Sequence, residues 1–565
     1  MKNLCTILSL LCVLAQSATG QITVRSTATG GDWSCSCTWE GGVAPEPYDI
    51  AEIVAGSTVT IDGAEFGATN IAGLDLKGTL QFNVNEPLLI KGNLNIYNGG
   101  ILNAYNGAAG ARVTVMGNIL NNGVADFSKT GTVLTMGESA NATSITGTGT
   151  YGVVRQLTID NPKNVQLSSA LSISSKLELL RGTLSNSAVL TLDQTNIGNG
   201  TTSASCTVQR SPLSSLGSPV TVPAAAVLYV VYSGKEGEGR ITEGNEIPAS
   251  RAIHKIVADN PDGVLITNDL TLKTSTAAIT LTSGVITVAA GKTLICNNSA
   301  FMGTPGVYNS YVDGGVALTT NTTGGTKTFP VGAAGRNRKV VLSELNAASG
   351  ALVVRFVIVP ASGGTGANGI VLSPDRRYYG SVVSGSPGKF TGMSIDYWED
   401  DQVSQANAMI ASSSTLSGSY SNMGNGTNTD KAVVSATGVY NAGLPGYYAL
   451  AAPAAPVAPL AAGPAVEDVI LAKPDYTKGN ISMATVYPNP ARDEINIRVK
   501  GLKGETARLI ITNVNGQVVY QGNAAVSRLE SGHVIYLKNS GLNTGIYFLE
   551  IRAANDAKSA SFLVL

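Results

Sequence analysis

Residues 156–165 read Gln156-Leu157-Thr158-Ile159-Asp160-Asn161-Pro162-Lys163-Asn164-Val165, and they decide the fold. They return 99 residues later as Lys255-Ile256-Val257-Ala258-Asp259-Asn260-Pro261-Asp262-Gly263-Val264. Each copy alternates apolar residues over a short run and then turns at a D-N-P corner. A period of two is the strand pattern, and Asn-Pro after Asp is turn chemistry. More of the same follows each copy. Leu177-Glu178-Leu179 precedes Arg181-Gly182-Thr183-Leu184, and Ile279-Thr280-Leu281 precedes Ser283-Gly284-Val285-Ile286. Upstream, Ile90-Lys91-Gly92-Asn93-Leu94 matches Val115-Met116-Gly117-Asn118-Ile119 at an offset of 25. So short an apolar–Gly–apolar unit cannot close a core alone, but stacked copies bury a continuous apolar column. The expected fold class is therefore all-β, with a parallel β-helix or related solenoid over 21–304. A string of antiparallel β-sandwiches uses similar strands and turns and is the alternative.

Composition narrows the function. Of 565 residues, 13% are charged and 43% hydrophobic, and the net charge is −1. No positive field exists to bind nucleic acid. Low charge with moderate hydrophobicity also argues against bulk disorder. Two His in the whole chain exclude most His-dependent chemistry.

Residues 1–20 read as a secretory signal peptide. Lys2 precedes an apolar run from Leu4 to Ala15, and small Ala18 and Gly20 stand before Gln21, so cleavage is expected between Gly20 and Gln21. The run is too short for a membrane anchor. A lipoprotein would use Cys12, but Leu11 precedes it where a small residue is wanted. No transmembrane segment is expected in the mature chain. Four cysteines remain after cleavage: Cys35, Cys37, Cys206 and Cys296. A Cys35–Cys37 disulfide and four buried thiols are equal alternatives. Neither a metal centre nor a cofactor is expected, because C-x-C is not a zinc spacing and the other two cysteines have no neighbouring ligands.

Trp33 and Trp39 frame an expected first-coil cap. The set Trp39, Gly41, Gly42, Pro45, Asp49, Ile53, Gly56, Val59 and Ile61 resembles the start of many secreted β-helix proteins. Capping is favoured over sugar stacking by the two indoles, since a solenoid end exposes apolar rungs. Residues 305–450 are richer in aromatics and are expected to form a β-sandwich. Within them, Tyr311-Val312-Asp313-Gly314 and Phe329-Pro330-Val331-Gly332 resemble a segment of large secreted Bacteroidetes surface proteins. Residues 451–484 open with AAPAAPVAPLAAGPA and read as an extended linker.

Residues 485–565 carry the most specific pattern. Tyr487-Pro488-Asn489-Pro490 leads to Ile495-Asn496-Ile497. Asn513, Gly516, Gln517, Val518 and Val519 follow, then Leu542, Gly545, Ile546, Tyr547, Leu549 and Ile551. The prolines set a stiff turn with no strand donor, and Asn515-Gly516 is a hairpin turn. The set resembles the type A C-terminal sorting domain of the type IX secretion system of Bacteroidetes. One departure is the ending: family tails place a basic residue close to the terminus, whereas here seven residues follow Lys558. The resemblance implies a small immunoglobulin-like sandwich, export by the type IX machinery, and a secreted or cell-surface destination on the outer-membrane exterior. After tail cleavage it implies release or attachment to cell-surface lipopolysaccharide.

No catalytic set emerges. His254 and His533 have no motif partners, and no H-E-x-x-H, P-loop or Rossmann pattern occurs. Gly363-Gly364-Thr365-Gly366 lacks the helix and Lys of a phosphate loop. Asp160 and Asp259 are the paired-carboxylate candidates, with turn chemistry as the stronger reading. Glu399-Asp400-Asp401 reads as a solvated loop rather than an ion site. The favoured expectation is a non-enzymatic adhesin or glycan-binding surface protein, with a polysaccharide or a host or environmental surface as ligand. A β-helix polysaccharide lyase or glycoside hydrolase is the first alternative, and a structural matrix protein the second.

Overall fold

Short β-branched and aliphatic strands stack as parallel rungs from residue 23 to about 318, forming a β-solenoid. The computed structural model describes residues 21–63, 69–106, 109–195, 205–274, 278–297, 310–429, 431–441, 446–454, 485–487, 491, 494–499, 505–513, 518–536, 545–553 and 556–564. The chain divides into two units, Met1–Pro456 and Val457–Leu565.

The sequence repeats are rungs. Val113 pairs with Leu88 and Val115 with Ile90, so the offset of 25 is one turn of the solenoid. Along the same face Leu157 pairs with Leu177, Leu177 with Val208, Val208 with Val230, and Val230 with Ile256. The offset of 99 is therefore four turns. All these inward residues are fully buried. Each contributes about 1.5–3 kcal/mol by leaving water. The 16-residue strand Leu171–Asn186 joins two faces. Its first half pairs with Val154–Asp160, and its second half with Val165–Leu167. A third face is a six-stranded sheet that includes Thr58–Ile61, Thr79–Phe82, Ile101–Asn103 and Val124–Asp126.

The D-N-P corner is built from one buried amide. Asn161 Nδ2 donates to Thr143 Oγ1 at 3.0 Å and to the Asn164 carbonyl at 3.3 Å, while Asn161 Oδ1 accepts the Lys163 N–H at 2.9 Å. In the second copy Asn260 Nδ2 donates to the Gly263 and Gly239 carbonyls at 2.8 and 3.0 Å. The fifth corner residue is left-handed in both copies, Asn164 at φ 76° and Gly263 at φ 86°. Asn and Gly are the residues that tolerate this conformation, which explains their exchange at that position.

The solenoid hands over to antiparallel structure through one strand. Gly315–Asn321 pairs in parallel with Thr293–Cys296 on one side and antiparallel with Ala351–Pro360 on the other. Arg376–Gly385, Gly446–Pro453 and Met409–Ser413 extend that sheet. A second sheet of Lys327–Phe329, Val340–Ser343, Gly392–Asp396 and Ala432–Val434 contributes to the same core. Phe329 meets Phe356 across the two sheets, with ring centroids 4.7 Å apart. One apolar core runs from Val24 to Leu450.

The second unit has its own core, which includes Ile495, Ile497, Leu509, Ile511, Leu549, Ile551 and Phe562. A three-stranded sheet, Thr485–Tyr487, Glu494–Arg498 and His533–Tyr536, accompanies a four-stranded one. The latter orders as Val518–Ala525, Thr506–Asn513, Gly545–Ala553 and Asp556–Val564.

Candidate functional site

Side chains that alternate with the buried column point outward and line up across rungs. One outward row runs Thr114, Thr135, Thr158, Glu178, Gln209, Val231, Val257 and Thr280. Its neighbour runs Arg112, Val133, Gln156, Lys176, Thr207, Tyr229 and Lys255. Adjacent rungs lie about 4.8 Å apart, so the rows form a regular, mostly uncharged ladder. Its one acid, Glu178, is paired, while Arg112 and Lys255 form no ion pair among the described residues. Lys176 Nζ lies 2.6 Å from Glu178 Oε1. Arg181 holds Asp160 at 2.5 Å and Glu138 at 2.9 Å. Lys255 Nζ sits 5.9 Å from the Tyr229 ring centroid.

Asp160 and Asp259 occupy equivalent corners four rungs apart, about 19 Å at that spacing. Paired carboxylates in glycosidases stand about 5–9.5 Å apart, so these two cannot act as a pair. Asp160 neutralises Arg181, and Asp259 accepts the Ser283 hydroxyl at 3.0 Å. His254 Nδ1 accepts the Leu228 N–H at 3.2 Å. Burial, and then Lys273, hold its pKa below the usual imidazole value. The folded state thus binds His254 in its neutral form, and that contribution is lost as pH falls below about 6.5.

Trp33 and Trp39 are buried and meet edge-to-face, centroids 4.8 Å apart, with Trp39 Nε1 donating to the Trp33 carbonyl at 2.8 Å. Neither indole face is open to a sugar. Cys35 and Cys37 are bonded to each other between the two tryptophans, while Cys206 and Cys296 are buried thiols. Burial pushes both thiols up to about 12, which leaves them protonated and unreactive.

Glu399-Asp400-Asp401 is solvated only in part: Glu399 and Asp400 are exposed, whereas Asp401 is buried. Asp401 is buried against Arg338, which is 0% exposed, and Arg376 Nη1 reaches it at 3.0 Å. Asp400 binds Arg338 at 2.6 Å and Arg376 at 2.8 Å. Burial is the largest single influence on Asp400 and would raise its pKa, but the Arg338 hydrogen bonds together with the Arg338 and Arg376 charges outweigh it, and the net direction is down. Sequence reading missed this cluster because Arg338 lies 62–63 residues and Arg376 24–25 residues from the two aspartates. It missed a second one, where buried Glu246 accepts from Arg210 and from the Tyr232 hydroxyl, each at 2.9 Å.

In the second unit, Gly545 opens the strand Gly545–Ala553. Tyr547 in that strand is buried and stacks on Phe562, with centroids 5.8 Å apart. Tyr487 ends the strand Thr485–Tyr487. Pro488, Asn489, Pro490 and Gly516 lie outside the described residues, as do Gly20 and most of the linker. Gln21 is exposed. These residues match the Por secretion tail family, the secretion system C-terminal sorting domain, over 485–565. Residues 485–565 are a C-terminal sorting domain. No curated protein and no solved structure matches the chain. The sorting domain indicates export by the type IX secretion system, implies contact with that machinery, and implies secretion or cell-surface display. Among the described residues no helix is long and apolar enough to cross a membrane.

Proposed function

We propose that the exported body is a non-enzymatic binding protein that presents the outward rows of its long parallel sheet to a surface glycan. One observation carries this reading. The two neighbouring rows between Arg112 and Thr280 offer hydroxyl, amide and aromatic groups at a fixed repeat, and their one acid, Glu178, is held by Lys176. A carboxylate held by Arg or Lys is poorly placed to take or give a proton, and a regular polar ladder suits an extended, repeating ligand. On this reading residues 1–20 are the export signal, and the mature protein is displayed outside the outer membrane or released.

A second reading has one observation in its favour. Glu138 and Asp160 converge on Arg181 from neighbouring rungs, a grouping of acids and a base that a lyase or hydrolase would need. The two readings separate in one experiment on residues 21–565 with a panel of pectin, xylan, mannan and arabinogalactan. The expected result is retention on at least one polysaccharide with no new reducing ends and no unsaturated product. Product formation would replace the first reading with the second. Absence of both retention and product would defeat the glycan reading and leave self-association as a matrix protein.

A further inference from the structure

Arg376 and Arg377 are consecutive on the strand Arg376–Gly385, and their partners differ. Arg376 meets the carboxylates of Asp400 and Asp401 at 2.8 and 3.0 Å. Arg377 is only 3% exposed, yet none of the ion pairs among the described residues includes it. Its Nη1 donates to the Ser373 and Arg376 carbonyls at 2.6 and 2.7 Å. Its Nη2 reaches the Gly363 carbonyl at 3.4 Å, and the Tyr420 phenol also interacts with the guanidinium. Nε has no partner, and neither has the buried Ser373 hydroxyl nearby. The Tyr420 ring centroid lies 5.2 Å from the guanidinium carbon. Carbonyl dipoles and a ring face ease the burial of a cation but supply no counter-charge, and an unpaired buried ion costs several kcal/mol.

Arg377 lines an open pocket of about 550 Å³ together with Ala361, Gly363, Thr365, Ile370 and Val371. That volume is in the range of small-ligand sites. The loop over it is the Gly363-Gly364-Thr365-Gly366 stretch that matched no phosphate-binding pattern. Nε and Nη2 form one edge of a guanidinium, the edge that meets a carboxylate through two parallel hydrogen bonds. In Arg377 this edge holds no carboxylate, and its Nε is closed off from solvent as well as partnerless, so a ligand reaches it only by displacing the side chains around it. A single cation balances a single negative charge, which favours a carboxylate over a phosphate carrying nearly two.

We propose that this pocket binds a carboxylate group, with Arg377 as its counter-ion. The carboxylate belongs either to an acidic sugar or to a free organic acid. The site stands apart from the solenoid face and does not rest on the reading given to that face.

The test is calorimetric titration of residues 21–565 with galacturonate, acetate, galactose and inorganic phosphate. Galacturonate or acetate is expected to bind, galactose not to, and phosphate more weakly. Galacturonate at least tenfold tighter than acetate would assign an acidic sugar, and equal affinities a free acid. Arg377→Gln is expected to weaken binding at least tenfold. Val371 lines the pocket at 58% exposure, so changes there leave the core intact. Val371→Glu is expected to weaken binding at least fivefold, and Val371→Lys to preserve or strengthen it. The proposal is overturned if neither carboxylate binds the wild type at millimolar concentration. Equal affinity in Val371→Glu and Val371→Lys would overturn it too, even if Arg377→Gln does not fold. Polysaccharide retention by the solenoid face is expected to be unchanged in the Val371 variants.

Discussion

Replacing Asn161 with Ala and, separately, Asn260 with Ala should have unequal effects, although the two residues occupy the same corner of the repeat. Asn161 uses its whole amide. Its two N–H hydrogens are shared among Thr143 Oγ1 and the Asn141 and Asn164 carbonyls, and its oxygen accepts from Lys163. Asn260 donates both hydrogens, to the Gly239 and Gly263 carbonyls, but its buried oxygen has no partner. Both side chains are fully buried. At about 1 kcal/mol net per hydrogen bond, Asn161→Ala removes three bonds and costs about 3 kcal/mol. Asn260→Ala removes two, about 2 kcal/mol, but relieves an unsatisfied acceptor worth about 1 kcal/mol, leaving a cost near 1 kcal/mol. The difference, about 2 kcal/mol, is large enough for urea unfolding of residues 21–565 followed by circular dichroism. Because the corners are four rungs apart, the double variant should be additive within about 0.5 kcal/mol. Equal costs for the two single variants would refute the hydrogen-bond account of the corner.

Three further outcomes are expected. Gly182 has φ 78°, and a Cβ there would lie 1.9 Å from the Asn161 carbonyl oxygen, so Gly182→Ala should cost about 3 kcal/mol or more; a stability within 1 kcal/mol of wild type would contradict the rung geometry. Burial raises the Asp396 carboxyl pKa to about 6 despite Lys339 at 3.3 Å, so the folded state binds more protons than the unfolded one between about 3.8 and 6 and loses stability as pH rises through that window. Asp396→Asn should therefore gain on the order of 1–3 kcal/mol at pH 7 and little at pH 4 in paired thermal melts, and a loss at pH 7 would reverse the argument. Deleting residues 485–565 should trap the body in the periplasm, as read by cell fractionation; normal levels outside the cell would remove the sorting role.

How much of this was legible depends on range. Rungs were readable because Leu157 and Ile256 sit in near-identical local sequence, and the solenoid repeats one local solution. The sorting module was readable because its turn residues and alternating strands are ordered over a short span. Asp160 and Asp259 look alike as a pair in sequence, but rung spacing separates them, and only the stacking reveals that. The Arg338–Asp401 cluster and the carboxylate-free Arg377 depend on contacts between distant strands. Sequence offers one signal there: an Arg-Arg pair before Tyr378-Tyr379, in a strand whose alternation sends one Arg inward. The Cys35–Cys37 bond was one of two equal alternatives, since adjacency in sequence leaves both geometries open.

The most direct test of the account is retention of residues 21–565 on the polysaccharide that binds wild type, comparing it with Thr114→Glu/Thr135→Glu. These two residues are consecutive in the outward row and their side chains point away from the core. The account expects retention to fall at least tenfold with an unchanged melting temperature and no new reducing ends in any sample. Undiminished retention by the double variant, or product release by the wild type, would contradict it.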